Sequence, residues 1–413
     1  MGHAPAGYLA LLRHNRAFRR LWYAQLASQL GDWLDSIALY ALLLRLTGSA
    51  TALAGLLVAQ FLPSVLLGPF AGVLADRWPR KRILIAADLG RAALVLLFLL
   101  VRDADQIWLA YAVTFLQFAL TALFEPAREA IIPGVVARAE LVAANGISGL
   151  TWSVMLAGGA ALGGLSAATL GPELSFVLDS ASFLLSAAFI TTVPVRETHL
   201  EGRVEAHPLA ELREGAAYLL AHRDVALYAL SKTLWSIGGG GILVLLPLFG
   251  KEVYPLGRDG ALSMGLLYAA RGVGAGLGPV LAQRWGGGSV RALRRALGPG
   301  FLLMGLGYLL FSHAPGLLTA AAALVLAHIG GSTQWVFSTA LIQLEVPGRL
   351  QGRVFAAELT LLTLATCVSS YAVGLAADAG WSPHALALGL SATFVPPGLA
   401  LLLLLGPAPR TAD

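Results

Sequence analysis

Asp32 and Asp35 stand three residues apart near the middle of an apolar stretch that runs from about residue 21 to 46. On a helix that spacing puts them on neighbouring positions of one face. An ionisable group at bilayer depth costs on the order of 2.5 to 3.5 kcal/mol on insertion scales, so each one in such a stretch calls for a reason. Two carboxylates so close and so poorly hydrated cannot both stay charged cheaply, and one is expected to hold a proton. That is the chemistry of a proton carrier. The plainer reading of Asp32 is a structural acceptor for an N–H or a hydroxyl. Arg271, near the centre of another apolar stretch, offers a fixed cation to an acidic residue across the interior or to an anionic group on a solute. Asp88 and Arg91 are three apart and read as a mutual ion pair, while the roles of Asp179 and Lys232 stay open.

Other chemistries find little support. The 413 residues are 57% hydrophobic and 12% charged, against roughly 25% charged in an average soluble domain. A soluble enzyme, a nucleic-acid-binding domain and a disulfide-stapled module all fit poorly, so the net charge of +5 is not read as a nucleic-acid footprint. The single Cys367 allows no intrachain disulfide. The glycines at 272, 274, 276 and 278, and those from 238 to 241, neither follow a strand nor carry a phosphate-loop lysine, so they read as close helix packing or a kink. No His or Cys set has metal-ligand spacing, and no catalytic activity, cofactor or metal is expected.

The apolar content falls into runs of bilayer-crossing length. They lie at about 21–46, 51–75, 83–101, 107–127, 142–168, 173–193, 225–249, 261–283, 296–312, 316–342, 354–378 and 384–406. The fold class is therefore an all-α polytopic membrane protein with twelve transmembrane helices. The first run is too long for a signal-peptide core and is expected to be retained as a helix. Most of the 28 Lys and Arg fall in one alternate set of loops, and only Arg45, Arg102, Lys251 and Arg258 fall in the other. By the positive-inside rule both termini are expected in the cytoplasm, with the chain in the inner (plasma) membrane. A polar stretch divides the chain into a bundle of residues 1–195, a cytoplasmic linker 196–224 and a second bundle 225–413. Within the linker, 209–220 has helical apolar spacing and reads either as a surface-lying helix or as a solvated connection. The halves echo each other: Leu74, Ala75, Asp76, Arg77, Trp78 recurs as Leu281, Ala282, Gln283, Arg284, Trp285, each after the second run of its half. Parallel six-helix repeats are an architecture of secondary transporters, with the solute bound between halves near the midplane.

The stretch Gly72, Val73, Leu74, Ala75, Asp76, Arg77, Trp78, Pro79, Arg80, Lys81, Arg82 resembles the loop signature between the second and third helices of the major facilitator superfamily. The resemblance implies a conformational latch that holds the outward-facing state, built here from Gly72, Asp76, Arg77 and Arg80 with Arg128 and Glu358 as interface charges. Gly159, Ala160, Ala161, Leu162, Gly163, Gly164 is similar to the antiporter motif of efflux members, with Ala160 in place of its proline. Gly31-Asp32-Trp33-Leu34, Thr47-Gly48-Ser49-Ala50, Pro126-Ala127-Arg128, Ala143-Ala144-Asn145 and Gly352-Arg353-Val354-Phe355 together look like the subgroup of the enterobactin exporter and the macrolide-efflux proteins.

The resemblance implies a major facilitator fold of two pseudo-symmetric six-helix bundles. It also implies proton-coupled export of a small amphipathic substrate, a drug or a siderophore, by alternating access. The implied partners are protons, the substrate and the lipid bilayer, with no nucleic acid and a monomeric chain. Asp32 and Asp35 are the proton-coupling candidates. Arg271, Trp33, Trp152, Trp235 and Trp335 are the substrate-cavity candidates, aromatic faces being suited to large apolar or cationic solutes. Flipping of a lysophospholipid on the same fold is the alternative, and a non-transporting sensor a third.

Overall fold

A bilayer core has no water for unpaired N–H and C=O groups, and a helix satisfies them within one segment. The computed structural model describes residues 8–137, 140–195, 208–286 and 289–405, and every regular element among them is a helix. A short α1 (Tyr8–His14) leads into α2 (Arg16–Thr47), α3 (Ala50–Arg77), α4 (Arg80–Val95, extended by a 3-10 turn over Leu96–Leu100) and α5 (Ile107–Val135). The fifth crossing joins α6 (Leu141–Val154), a π-helical turn (Met155–Gly159) and α7 (Ala160–Thr169), and α8 (Pro172–Thr191) follows. After α9 (Pro208–Ala221) come α10 (Arg223–Leu248, extended by a π-helical turn over Phe249–Val253), α11 (Ala261–Gly286), α12 (Val290–Ser312), α13 (Leu317–Glu345) and α14 (Gly348–Asp378). The last crossing is α15 (Pro383–Thr393) and α16 (Val395–Leu404).

Among the described residues, ten segments are both long and apolar enough to cross a membrane. Two more, α2 with 32 residues and α11 with 26, carry the intramembrane charges Asp32, Asp35 and Arg271, and each exceeds the roughly 20 residues a bilayer requires. The twelve expected crossings are present. Several outlast their apolar runs. α5 continues to Val135 through Pro126 and Pro133, and α12 begins at Val290 with Arg291, Arg294 and Arg295 in its first turns. An apolar run measures the hydrocarbon, whereas the helix continues into the interface where charged side chains reach water. The final run was expected as one helix and is broken at Phe394, where Pro396 and Pro397 remove two backbone donors.

In the first bundle α2 packs on α8, and α5 packs on α3 and α4; in the second α10 packs on α14, and α13 packs on α11 and α12. The bundles meet along α3 against α14 and along α11 against the fifth crossing. α9 covers the helical spacing seen at 209–220 and lies against α14, where Gly215 abuts the Arg353 backbone and Glu214 pairs with Arg353. The rest of the expected linker, residues 196–207, lies outside the described residues.

Candidate functional site

A cavity of about 870 Å³ opens beside α2 toward the end of the bundle where α1, the α3–α4 turn and the start of α6 lie. This is the basic end of the molecule. Asp32, Trp33, Ser36 and Tyr40 of α2, Gln60 of α3, Glu125 and Arg128 of α5, and Trp152 of α6 line it. Tyr40 closes the inner part by donating its hydroxyl to Gln60 Oε1 at 3.2 Å. Arg128 is bound to Glu125 at 2.7 Å, so these two charges largely satisfy each other in the wall.

Asp32 faces the cavity, and Asp35 lies behind it, 4% exposed. Gln117 donates to Asp35 Oδ2 at 3.3 Å, and Asp35 Oδ1 has no partner. A third carboxylate joins them. Asp179 of α8 is fully buried, and its Oδ1 packs where a Cβ on Gly31 of α2 would fall. Gly31 and Asp35 are one turn apart, so Asp35 and Asp179 sit on facing surfaces of α2 and α8. Ser182 donates to Asp179 Oδ1 at 3.1 Å, and Asp179 Oδ2 is unpartnered. The field acting on Asp32 and Asp179 includes Arg91. Arg91 itself pairs with Asp88 and lies 4.4 Å from the ring centroids of both Phe124 and Phe183, while Ser186 donates to Asp88 Oδ2 at 2.6 Å. Arg91 is thus bound to Asp88 and also acts on Asp32 and Asp179, while Asp35 is held by Gln117. Sequence reasoning left Asp179 open because helix periodicity tells which residues share a face and not which helix that face meets.

On the other half, Arg271 of α11 is partly exposed. Its guanidinium carbon lies 6.0 Å from the Tyr268 ring, and it acts electrostatically on Tyr40, Tyr308 and His328. No acidic partner for it is found among the described residues, so it is not paired with Asp32 across the cavity. Of the four tryptophans, Trp33 and Trp152 are in the cavity wall, and Trp33 also packs on Tyr268 with centroids 5.5 Å apart. Trp235 and Trp335 instead pack edge to face at 5.4 Å, next to Lys232.

Lys232 of α10 and Glu358 of α14 form an ion pair of 3.0 Å, each 3% exposed, with the ammonium 4.9 Å from the Trp335 centroid. Glu358, expected beside the latch, therefore faces Lys232 within its own half. Arg128 is bound to Glu125 in the cavity wall. Arg80 donates to the Ala130 carbonyl at 2.9 Å, and Arg77 is exposed at the end of α3. Gly72 and Asp76 belong to the last turns of α3, and their side chains lie outside what the structure describes.

The end opposite the cavity mouth is shut by contacts between halves. Lys251 donates to the Leu44 carbonyl at 2.5 Å, and Arg45 meets Asp259 at 3.4 Å. Asp378 at the end of α14 accepts from Ser49 Oγ at 2.6 Å and from the backbone N–H groups of Ala50 and Thr51 at 2.7 and 3.0 Å. A carboxylate of one half thereby caps the first turn of a helix in the other. The antiporter-like motif reaches both ways: Gly159 and Gly163 make room for Trp33 of α2 within the first half, and Gly164 meets Ala261 and Gly265 of α11 across the seam. The seam loosens toward the basic end. A Cβ on Gly272 would strike the Ala157 backbone, whereas one on Gly276 would find Ser153 only at 4.0 Å.

This architecture is that of a membrane transporter, and the comparisons place it further. The Major Facilitator Superfamily model matches residues 21–370, so the chain belongs to that family. It is 26% identical over 422 residues to the uncharacterized MFS-type transporter YfiS of Bacillus subtilis (strain 168), covering 95% of this chain and 93% of that protein. It is 28% identical over 242 residues to macrolide efflux protein A of Streptococcus pyogenes, covering 57% of this chain and 59% of the relative. It is 23% identical over 358 residues to the putative bacilysin exporter BacE of Bacillus subtilis (strain 168), covering 86% and 87%. A further relative, the uncharacterized MFS-type transporter YkuC of that strain, is matched over 56% of its length. Among solved structures, a bacterial homologue of the iron transporter ferroportin in an inward-facing state superposes with a TM-score of 0.73 at 16% identity, covering 95% of this chain and 99% of that one. The nucleoside transporter NupG gives 0.72 at 10% identity, covering 94% and 98%.

Proposed function

We propose that this chain exports a small amphipathic molecule, drug-like or siderophore-like, in exchange for protons. The bundles 1–195 and 225–413 rock about a midplane site with 196–224 as the cytoplasmic connection between them. The observation that carries the reading is the cavity at the basic end with Asp32 in its wall and Asp35 and Asp179 behind it. Asp32 is placed to exchange a proton with the solution or with an entering solute, and Asp35 to share it with the interior. Relatives named as efflux proteins support the direction.

With both termini in the cytoplasm, the cavity mouth faces the cytoplasm and this conformation is inward-open. The latch of Gly72, Asp76, Arg77 and Arg80 then belongs to the opposite state, in which the basic end closes. In the open state Arg128 and Glu358 are held by Glu125 and Lys232 instead. Trp33 and Trp152 supply apolar faces for the solute. The chain acts as a monomer, since both halves of the pathway come from one polypeptide.

A second reading, lysophospholipid flipping, draws on an apolar groove of about 780 Å³ where α3, α5 and α14 meet, with Tyr111, Phe115, Cys367 and Tyr371 in its wall. Everted vesicles energised to an acidic lumen, with a pH dye, separate the two. A drug or siderophore that discharges the gradient only when the protein is present supports proton-coupled export. Movement of a fluorescent lysolipid without any gradient supports flipping and overturns export.

A further inference from the structure

Arg271 stands in the membrane-embedded part of α11 with no acidic partner among the described residues, while Asp32, Asp35 and Asp179 lie on α2 and α8 of the other half. A cation at that depth is expensive unless something offsets it. Its surroundings place the guanidinium inside the bundle and not toward lipid. It follows Tyr268 by three residues and so shares its helix face one turn closer to the basic end. Tyr268 is buried against Trp33 and Tyr40, which both line the cavity. The groups in its field come from α2, α12 and α13 as well as from its own helix. These groups are hydroxyls and one imidazole: Tyr40 is bonded to Gln60 and Tyr308 to His328 at 2.8 Å. None of them carries a negative charge that would neutralise Arg271. Arg271 is not itself in the wall of the cavity of about 870 Å³; it is partly exposed one turn from Tyr268, which packs on Trp33 and Tyr40 of that wall.

We infer that Arg271 binds an anionic group of the transported solute, and that the solute is an amphipathic zwitterion with its cationic group toward Asp32. A purely anionic solute does not suit a wall that presents Asp32, Glu125 and Glu129 against one cation, Arg128, which is already paired. A purely cationic one leaves Arg271 uncompensated when the halves close. A solute with both charges spans the halves, so each pole is desolvated against its own partner. This inference rests on the export reading and names its substrate class. The same chemistry occurs in a free amino-acid-like amphipath and in a lysophospholipid headgroup.

The test is equilibrium binding to the full chain in lipid nanodiscs, with three probes that differ only in charge. Nε-dansyl-lysine carries both charges, dansylcadaverine is the same molecule without the carboxylate, and Nα-acetyl-Nε-dansyl-lysine lacks the free amine. Dansyl-lysine is expected to bind at least about tenfold more tightly than either, since a charge-assisted contact of this kind accounts for a factor of ten or more. Arg271→Gln brings dansyl-lysine down to the level of dansylcadaverine, and Arg271→Lys restores part of the difference. Thermal melting of each variant establishes that it is folded. Equal binding of the three probes, no binding of dansyl-lysine, or an undiminished preference in folded Arg271→Gln overturns the inference. Displacement of dansyl-lysine by lysophosphatidylcholine below its micellar concentration overturns the free-solute assignment, and no displacement supports it. Because binding needs no gradient, Arg271-dependent binding without proton discharge would refute the coupled-export reading alone.

Discussion

Gly164 in the fifth crossing and Gly265 in the eighth touch across the two halves so closely that a Cβ on either would meet the other's Cα at 2.7 to 2.8 Å. Only hydrogen fits at both positions. Close approach of small residues is how helices associate where lipid offers no hydrophobic drive. The contact lies at the end away from the cavity mouth, so it belongs to the state in which that end is shut.

Enlarging either glycine therefore works against this state in particular. Gly164→Val and Gly265→Val are each expected to push the bundles apart at the closed end, since overpacking a tight contact costs about 1 to 3 kcal/mol. The check is labelling of a cysteine at Ser36, a cavity-wall residue, in a Cys367→Ser background with a membrane-impermeant maleimide. Labelling occurs from the basic side alone in the parent and from both sides in the valine variants. Unchanged sidedness would contradict the assignment of this contact to closure.

The Asp378 carboxylate makes a second prediction for the same seam. Asp378→Ala leaves the hydroxyl of Ser49 and two N–H groups of α3 without their acceptor. A lost helix cap costs about 1 kcal/mol, enough to shift a balanced two-state population about fivefold. Asp378→Asn retains an acceptor oxygen and is expected to shift it less. Spin-label distances between α3 and α14 at that end read the shift, and equal distance distributions in all three proteins would rule the cap out as a closing contact.

Lys232 and Glu358 are buried together, so removing one strands the other. Lys232→Met is expected to destabilise the protein by about 3 to 5 kcal/mol, and Lys232→Met with Glu358→Leu by clearly less, because the double variant leaves no unpaired charge. Thermal melting in one detergent compares them. A double variant at least as unstable as the single one would mean that the pair does more than neutralise itself.

The sequence made the crossings legible because the bilayer imposes a length that an apolar run must match, and the twelve runs become the twelve crossings. Charge placement along those runs singled out Asp32, Asp35 and Arg271 for the same reason, the cost of ionisable groups in hydrocarbon. Partners were less legible. Glu358 was expected beside the α3–α4 turn and is bound to Lys232, 126 positions earlier in the chain. Asp378, exposed at the end of α14, caps α3 across the halves. In each case the local pattern fixes a face and a depth, while the partner depends on which helices the two bundles bring together. A signal for the Asp378 contact was available in Thr47-Gly48-Ser49-Ala50, a helix-start pattern whose N–H groups need acceptors.

Proteoliposomes holding wild type or the Asp32→Asn, Asp35→Asn double variant, loaded with a solute that the vesicle panel has identified, address the coupling itself. Both should exchange labelled solute for unlabelled solute with no gradient present. Only wild type should accumulate it when a proton gradient is imposed. A double variant that still accumulates solute against its gradient would show that the proton travels elsewhere and would contradict the role given to these two carboxylates.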